Sequence, residues 1–203
     1  MEGHMIIVGP TGCGKSYYVV SYLRGVMRKK FNNIILICPT YIYNQAYKDF
    51  CRGDPGFLVL IPNASDEGEI DNLLRLCSIV YDRGENLIII DDCSFSRDVK
   101  RKTSELVRLF CSGRHLGISI MLLTQQFTSV AKVLRDNASH IISFHNPSKK
   151  DFDTLLDSCG SSLSTQDSEK LRTALKEHKY STLSFSLRHP YEIILEIPTV
   201  SLS

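Results

Sequence analysis

Six short runs of nearly unbroken apolar residues punctuate the chain: Met5–Val8, Ile34–Cys38, Phe57–Ile61, Leu87–Ile90, Ile118–Leu123 and His140–Phe144. Runs of this length without polar alternation predict strands covered on both faces, as in a parallel sheet. Between them apolar residues recur at helical spacing. Val19, Val20, Leu23, Val26 and Met27 form one stripe, and Ile70, Leu73, Leu74 and Cys77 a second that stops before Gly84. Val99, Thr103, Leu106 and Phe110 form a third. Such stripes are core-facing, and no chemistry is assigned to them. After Phe144 the pattern changes: Lys149–Cys159 and Glu169–His178 predict helices. Tyr180–Leu187 and Tyr191–Ile197 then flank Arg188-His189-Pro190, which predicts a hairpin. The expected fold is α/β, with a mostly parallel sheet flanked by helices over residues 1–147. Residues 148–203 are expected to form a small helix-plus-hairpin extension packed on that core, the whole making one compact domain.

The first strand runs into Gly9-Pro10-Thr11-Gly12-Cys13-Gly14-Lys15-Ser16, a full GxxxxGK[ST] loop, with a helix predicted to open near Lys15. Strand, glycine-rich turn and helix are the context this loop needs. Gly12 and Gly14 let successive N–H groups turn inward on a phosphate, and the positive end of the helix points at the same spot. Lys15 is then placed to reach β- and γ-phosphates, and the Ser16 hydroxyl to ligate Mg²⁺. The chain is expected to bind a nucleoside triphosphate.

Leu87–Ile90 ends in Asp91-Asp92, the arrangement in which a first carboxylate holds Mg²⁺ and a second faces the γ-phosphate. A second acid favours hydrolysis, since an enzyme that passes phosphate to another substrate has no need to activate water. The fifth apolar run is preceded by Gly113-Arg114-His115-Leu116-Gly117 and ends in Thr124-Gln125-Gln126. A side-chain amide at such a strand tip can sense the γ-phosphate and position water, and Gln125 is preferred over Gln126.

Composition narrows the setting. At 203 residues the chain suits one large domain, and its net charge of +2 permits a nucleic-acid partner without demanding one. Seven scattered cysteines with no CxxC pair predict free thiols in a reducing compartment. No apolar run is long enough to span a bilayer, and the N-terminus lacks the pattern of a secretion signal, so a soluble intracellular protein is expected. Arg28-Lys29-Lys30, Lys100-Arg101-Lys102 and Lys149-Lys150 are small basic runs, which as a rule are solvated faces. Lys100–Lys102 stands apart because it closely follows Asp92. Without a base-reading motif, any contact to DNA is expected at phosphates and independent of sequence.

Taken together, the Gly9–Ser16 loop, the Ile89-Ile90-Asp91-Asp92 strand end and Gly113-Arg114-x-x-Gly117-Ile118 with its Thr124-Gln125 exit resemble the FtsK–HerA branch of P-loop motor ATPases. Within that branch the chain is similar to the compact DNA-packaging ATPases of poxviruses, other large eukaryotic DNA viruses and related virus-like transposons. The Cys38-Pro39 strand exit and Leu134-Arg135-Asp136-Asn137 before Ile141-Ile142 add to the likeness, which covers roughly Met5 to Pro147. The resemblance implies a RecA/FtsK-like P-loop NTPase fold, ATP with Mg²⁺ as cofactors, and translocation of double-stranded DNA by a homo-oligomeric ring, pentamer or hexamer. It makes Gln125 the sensor and Arg114 an arginine finger that enters a neighbouring subunit's site, with Arg135 a second candidate. Asp92 stands where many relatives carry the longer Glu. It also implies a capsid or portal partner, and residence in the host cytoplasm, a viral factory or the virion. Loops at this end of the sheet face the pore in ring motors, which makes Lys100, Arg101 and Lys102 the first choice for DNA contact. A HerA-like helicase or translocase, a small-molecule kinase or GTPase, and a nucleotide-gated scaffold stay open as alternatives. The chain shows no Asn-Lys-x-Asp guanine motif, and Thr124-Gln125 is out of place in a kinase.

Overall fold

Each apolar run becomes a strand whose successive side chains leave by opposite faces. The structure, a computed structural model, describes residues 3–52, 54–63, 66, 68–93, 104–159 and 163–198. The strands are β1 (His4–Val8), β2 (Asn33–Ile37), β3 (Phe57–Leu60), β4 (Asn86–Ile90), β5 (Ile118–Thr124), β6 (Ala138–Phe144), β7 (Thr182–Ser186) and β8 (Glu192–Glu196). They form a single sheet in the order β3-β2-β4-β5-β1-β6-β7-β8. Its first six members are parallel, with Ile7 opposite Leu123 on one side and Ile142 on the other.

Two apolar layers follow from the alternation. Met5, Ile7, Ile34, Leu36, Leu87 and Ile89 pack with Val19, Val20 and Leu23 of α1 (Lys15–Arg24) and with Ala46 and Tyr47 of α2 (Gln45–Cys51). Ile6, Val8, Ile35, Ile37, Ile88 and Ile90 pack on the opposite face, under α3 (Glu69–Val80) and α4 (Glu105–Ser112). The same face is covered by α5 (Lys132–Asn137), α6 (Lys149–Ser158) and α7 (Thr165–Glu177) through Leu134, Phe152 and Leu175. Both faces of the parallel region are thus covered, which is why its strands lack polar alternation.

Several boundaries are set by caps that apolar periodicity does not register. Gly25 ends α1 at Arg24, so Val26 and Met27 fall in a 3₁₀ turn. The second C-terminal helix starts at Thr165, ahead of the expected Glu169, because Ser164 Oγ accepts from the Asp167 N–H at 3.1 Å. In the third predicted stripe, Leu106 and Phe110 lie buried on α4, which Ser104 caps, while Val99 and Thr103 lie outside the described residues.

The C-terminal hairpin is a continuation of the sheet, an in-plane form of the expected extension. β7 runs antiparallel to β6 with Ile142 opposite Ser184, and β8 runs antiparallel to β7 with Ser184 opposite Ile194. Leu183 and Phe185 join the same core layer as α6 and α7.

The extension is also joined to the core by one buried carboxylate. Asp151, 4 % exposed on α6, accepts from the Phe127 N–H (2.9 Å), the Thr128 N–H (2.8 Å) and hydroxyl (2.7 Å), and the Asn146 amide (2.7 Å). Phe127 and Thr128 belong to the turn directly after β5. Removing the acceptor leaves two buried donors, the Phe127 N–H and the Asn146 amide, unpaired. Asp151→Ala is therefore expected to destabilise the fold by on the order of 3 kcal/mol, read from the denaturant midpoint. A midpoint equal to the parent's would mean that the turn is held by other contacts.

Candidate functional site

The first six strands point the same way, so the segments that follow β1, β2, β4 and β5 share one edge of the sheet. That edge carries Gly9–Ser16, Thr40, Asp91-Asp92 and Gln125. β5 lies between β1 and β4 and so separates the glycine-rich loop from the acid pair by one strand. Open α/β sheets bind ligands at such carboxyl-end crevices.

The loop is held in shape from within. Gly12 and Gly14 have φ of +76° and +102°, left-handed values that a side chain would strain. Gly9 donates its N–H to the Thr124 carbonyl at 3.1 Å, which ties the start of the loop to the tip of β5. Lys15, 8 % exposed, donates from Nζ to the carbonyls of Gly9 (2.7 Å) and Pro10 (3.0 Å). Its ammonium thus lies across the mouth of the loop. Cys13 packs inward: a Cβ built at Gly9 would come within 2.6 Å of its Sγ.

The two motifs meet directly. Ser16 Oγ donates to Asp91 Oδ2 at 2.9 Å, across 75 positions of sequence. Tyr47, buried on α2, donates its hydroxyl to the same oxygen at 2.9 Å, and the Asn44 amide donates to Ser16 Oγ at 3.1 Å. Burial, and then the neighbouring Asp92 charge, push the Asp91 carboxyl above the ordinary carboxylate range, while the Ser16 and Tyr47 hydroxyls and the Lys15 charge pull against them. Asp92 sits at φ +55°, which aims it away from the strand direction, and Thr40 Oγ1 donates to its Oδ2 at 2.5 Å. Lys15, Ser16, Asp91 and Asp92 line one cleft of about 940 Å³, together with Thr40 and Asn44.

The other predicted residues lie farther out. Gln125 and Gln126 follow β5 at the same edge, but both are exposed and neither lines the cleft. Arg114 is exposed before β5, at the opposite edge of the sheet. Burial, and then the Arg114 charge, lower the pKa of His4, at the start of β1, to about 4. The Arg114 carbonyl accepts the Gly117 N–H at 3.1 Å, but among the described residues its guanidinium makes no hydrogen bond or ion pair. Arg135 is engaged within the chain: its guanidinium lies 5.0 Å from the Phe127 ring centroid and donates to Ser158 Oγ at 3.2 Å. Lys100, Arg101 and Lys102 lie outside the described residues.

Thr40, Asn44, Tyr47 and Tyr180 also belong to this site and carry no motif. The Cys38-Pro39 strand exit was the one legible signal near them, since it puts Thr40 at the carboxyl end of β2.

A GxxxxGK[ST] loop joined by a hydrogen bond to an acid pair, with an extra strand between them, defines a P-loop nucleotide-binding fold. The chain belongs to the Poxvirus A32 protein family, which it matches over residues 1–179. That match continues past Pro147 into the C-terminal extension. The variola virus DNA packaging protein OPG160 is 31 % identical over 155 residues, covering 71 % of this chain and 54 % of that protein. The chain therefore spans about half the length of the curated relatives it matches. Among solved structures, B204, the DNA-packaging ATPase from Sulfolobus turreted icosahedral virus, superposes with a TM-score of 0.73 at 19 % identity, over 98 % of this chain and 99 % of B204. The genome-packaging NTPase B204 from Sulfolobus turreted icosahedral virus 2, in complex with sulfate, gives 0.74 at 16 % identity, covering 98 % of each chain. At these identities the superpositions establish the fold. Among the described residues no helix is long and apolar enough to cross a membrane, and no cluster of His, Cys, Asp or Glu is arranged to hold a metal by itself.

Proposed function

We propose that this chain is an ATP-hydrolysing motor that moves double-stranded DNA, and that it packages a viral genome as a ring of identical subunits docked on a capsid or portal component. The observation that carries the reading is the Ser16–Asp91 hydrogen bond, which puts both halves of a triphosphate site in one cleft with Lys15 and Asp92. Membership of the A32 family, and the DNA-packaging description of its relatives, supply the substrate.

The residues take the following roles in this reading. The Gly12–Ser16 N–H groups and Lys15 receive the phosphate chain. Ser16 and Asp91 fit Mg²⁺: a hydroxyl and a carboxylate converge there, and the desolvated carboxylate is one that a cation would stabilise. When bound there, Mg²⁺ would neutralise negative charge on the triphosphate. Asp92 orients water on the γ-phosphate and accepts its proton, with Thr40 holding one carboxylate oxygen in place. Gln125 reports the state of the γ-phosphate to the turn after β5. Arg114, whose guanidinium makes no hydrogen bond or ion pair among the described residues, acts on the site of a neighbouring copy. Arg135 is left to its contacts with Phe127 and Ser158. Lys100, Arg101 and Lys102 are the proposed grip on DNA phosphates. The reducing host cytoplasm, a viral factory or the virion is the expected setting for the seven free thiols.

Steady-state ATP turnover, measured with and without linear duplex DNA over a range of protein concentrations, tests the reading. Turnover is expected to rise with duplexes of unrelated sequence and with protein concentration. Turnover indifferent to DNA would leave an ATPase and remove the track, and no turnover at all would remove the enzyme.

A further inference from the structure

The cleft is larger and more aromatic than a phosphate chain requires. Its volume of about 940 Å³ lies near the upper end of the roughly 300–1,000 Å³ typical of small-molecule sites. Its lining combines the polar groups Thr40, Asn44, Asp91 and Asp92 with the aromatic Tyr17, Tyr18, Tyr43, Phe144 and Tyr180, of which Phe144 and Tyr180 stand beside Gly14 of the loop. A triphosphate whose γ-phosphate faces Asp92 must direct its nucleoside away from the acids, toward these aromatic groups.

Tyr180 differs from the other aromatic residues there. It belongs to the turn between α7 and β7, and its backbone stands at φ +66°, a left-handed value that is an outlier for a bulky residue. Such strain persists where the surroundings over-determine it, and it clusters at ligand-binding positions. Here the turn is closed by Ser181, whose N–H and Oγ both reach the His178 carbonyl, at 3.1 and 2.6 Å. The result is a ring set against the glycine-rich loop: a Cβ built at Gly14 would meet Tyr180 Cδ1 at 3.1 Å. The Lys179 ammonium lies 4.8 Å from the ring centroid, a cation–π contact that occupies one face. The residue is still 47 % exposed. Tyr17 and Tyr43, at 68 % and 83 % exposure, stand much more freely in solvent.

We infer that Tyr180 is the platform on which the base of the bound nucleotide stacks, so that the C-terminal extension completes the nucleotide site and favours a purine nucleoside triphosphate over a bare phosphate chain. The inference rests on the triphosphate site proposed above and assigns the part of it that recognises the nucleoside. Stacking on an aromatic ring tolerates any base but rewards the larger purine surface.

The test compares ATP with inorganic tripolyphosphate, each titrated with Mg²⁺ into the purified chain and into two variants. Tyr180→Gly removes the ring at a backbone position where glycine carries no strain, so the fold is kept. It is expected to weaken ATP by about tenfold or more and leave tripolyphosphate unchanged. Tyr180→Phe, which keeps the ring and drops the hydroxyl, is expected to bind ATP as the parent does. Equal loss of both ligands in Tyr180→Gly would overturn the inference, because the ring would then act by shaping the loop at Gly14. So would unchanged ATP affinity, or a Phe variant as weak as the Gly variant. A parent chain that binds tripolyphosphate as tightly as ATP would sink this inference alone. A parent that binds neither would sink the triphosphate site with it.

Discussion

Arg114→Ala is expected to lower ATP turnover by about 10³–10⁵-fold, the range over which a missing arginine finger acts, while each subunit still binds nucleotide. The reason is where the side chain sits. Arg114 precedes β5, whereas the cleft lies past the other end of that strand, so the strand's seven residues separate the guanidinium from its own site by roughly 20 Å. The residue is exposed and, among the described residues, its guanidinium has no hydrogen-bond or ion-pair partner. Service to a neighbouring copy is the catalytic use this geometry permits. Mixing Arg114→Ala with Asp92→Asn subunits should then recover activity, because some interfaces pair an intact arginine with an intact acid. Mixed rings with no recovery would count against action between subunits, and turnover by a protein that stays monomeric would count against it more heavily.

A second large effect separates binding from chemistry. Lys15→Ala should lose ATP affinity and turnover together, since the ammonium at the mouth of the loop meets phosphate in both the ground and transition states. Asp92→Asn should retain ATP and lose turnover by about 10²–10⁴-fold, because an amide oxygen cannot take up the proton that a carboxylate accepts. Asn is a clean substitution here: it tolerates φ +55° and can still accept the Thr40 hydroxyl. Nucleotide titration and single-turnover rates on the two variants make the comparison. Parental turnover in Asp92→Asn would remove Asp92 from the reaction.

Gly117 shows how a residue read for one purpose can serve another. In the sequence it belongs to the Gly113-Arg114-x-x-Gly117 approach to β5. In the folded chain it stands at φ +66°, where a Cβ would lie 2.0 Å from the Gly84 carbonyl oxygen. A glycine is therefore demanded by the packing of the β5 entry against the β4 entry, whatever Arg114 does. Arg135 makes the complementary point. It precedes β6, and its guanidinium lies over Phe127 and bonds Ser158, a contact that crosses 23 positions that no local pattern spans.

The six core strands, the glycine-rich loop and the acid pair are legible in the sequence because each depends on local physics. A strand buried on both faces must be apolar throughout, a phosphate cradle needs glycines at set positions, and a carboxylate must follow its strand directly. Helix starts are less legible, since they turn on single caps such as Ser164 and Asn44. What only the tertiary structure decided are the contacts between segments remote in the chain: Tyr47 and Ser16 on one oxygen of Asp91, Thr40 on Asp92, Asp151 beneath the turn after β5, and Tyr180 against Gly14. Ser16, Asp91 and Asp92 sit in motifs, whereas Tyr47, Thr40, Asp151 and Tyr180 are polar or aromatic groups of ordinary type that no motif in their own segments marks. Sheet order and the closure of the C-terminal strands bring these groups together, and those follow from summed packing over the whole chain.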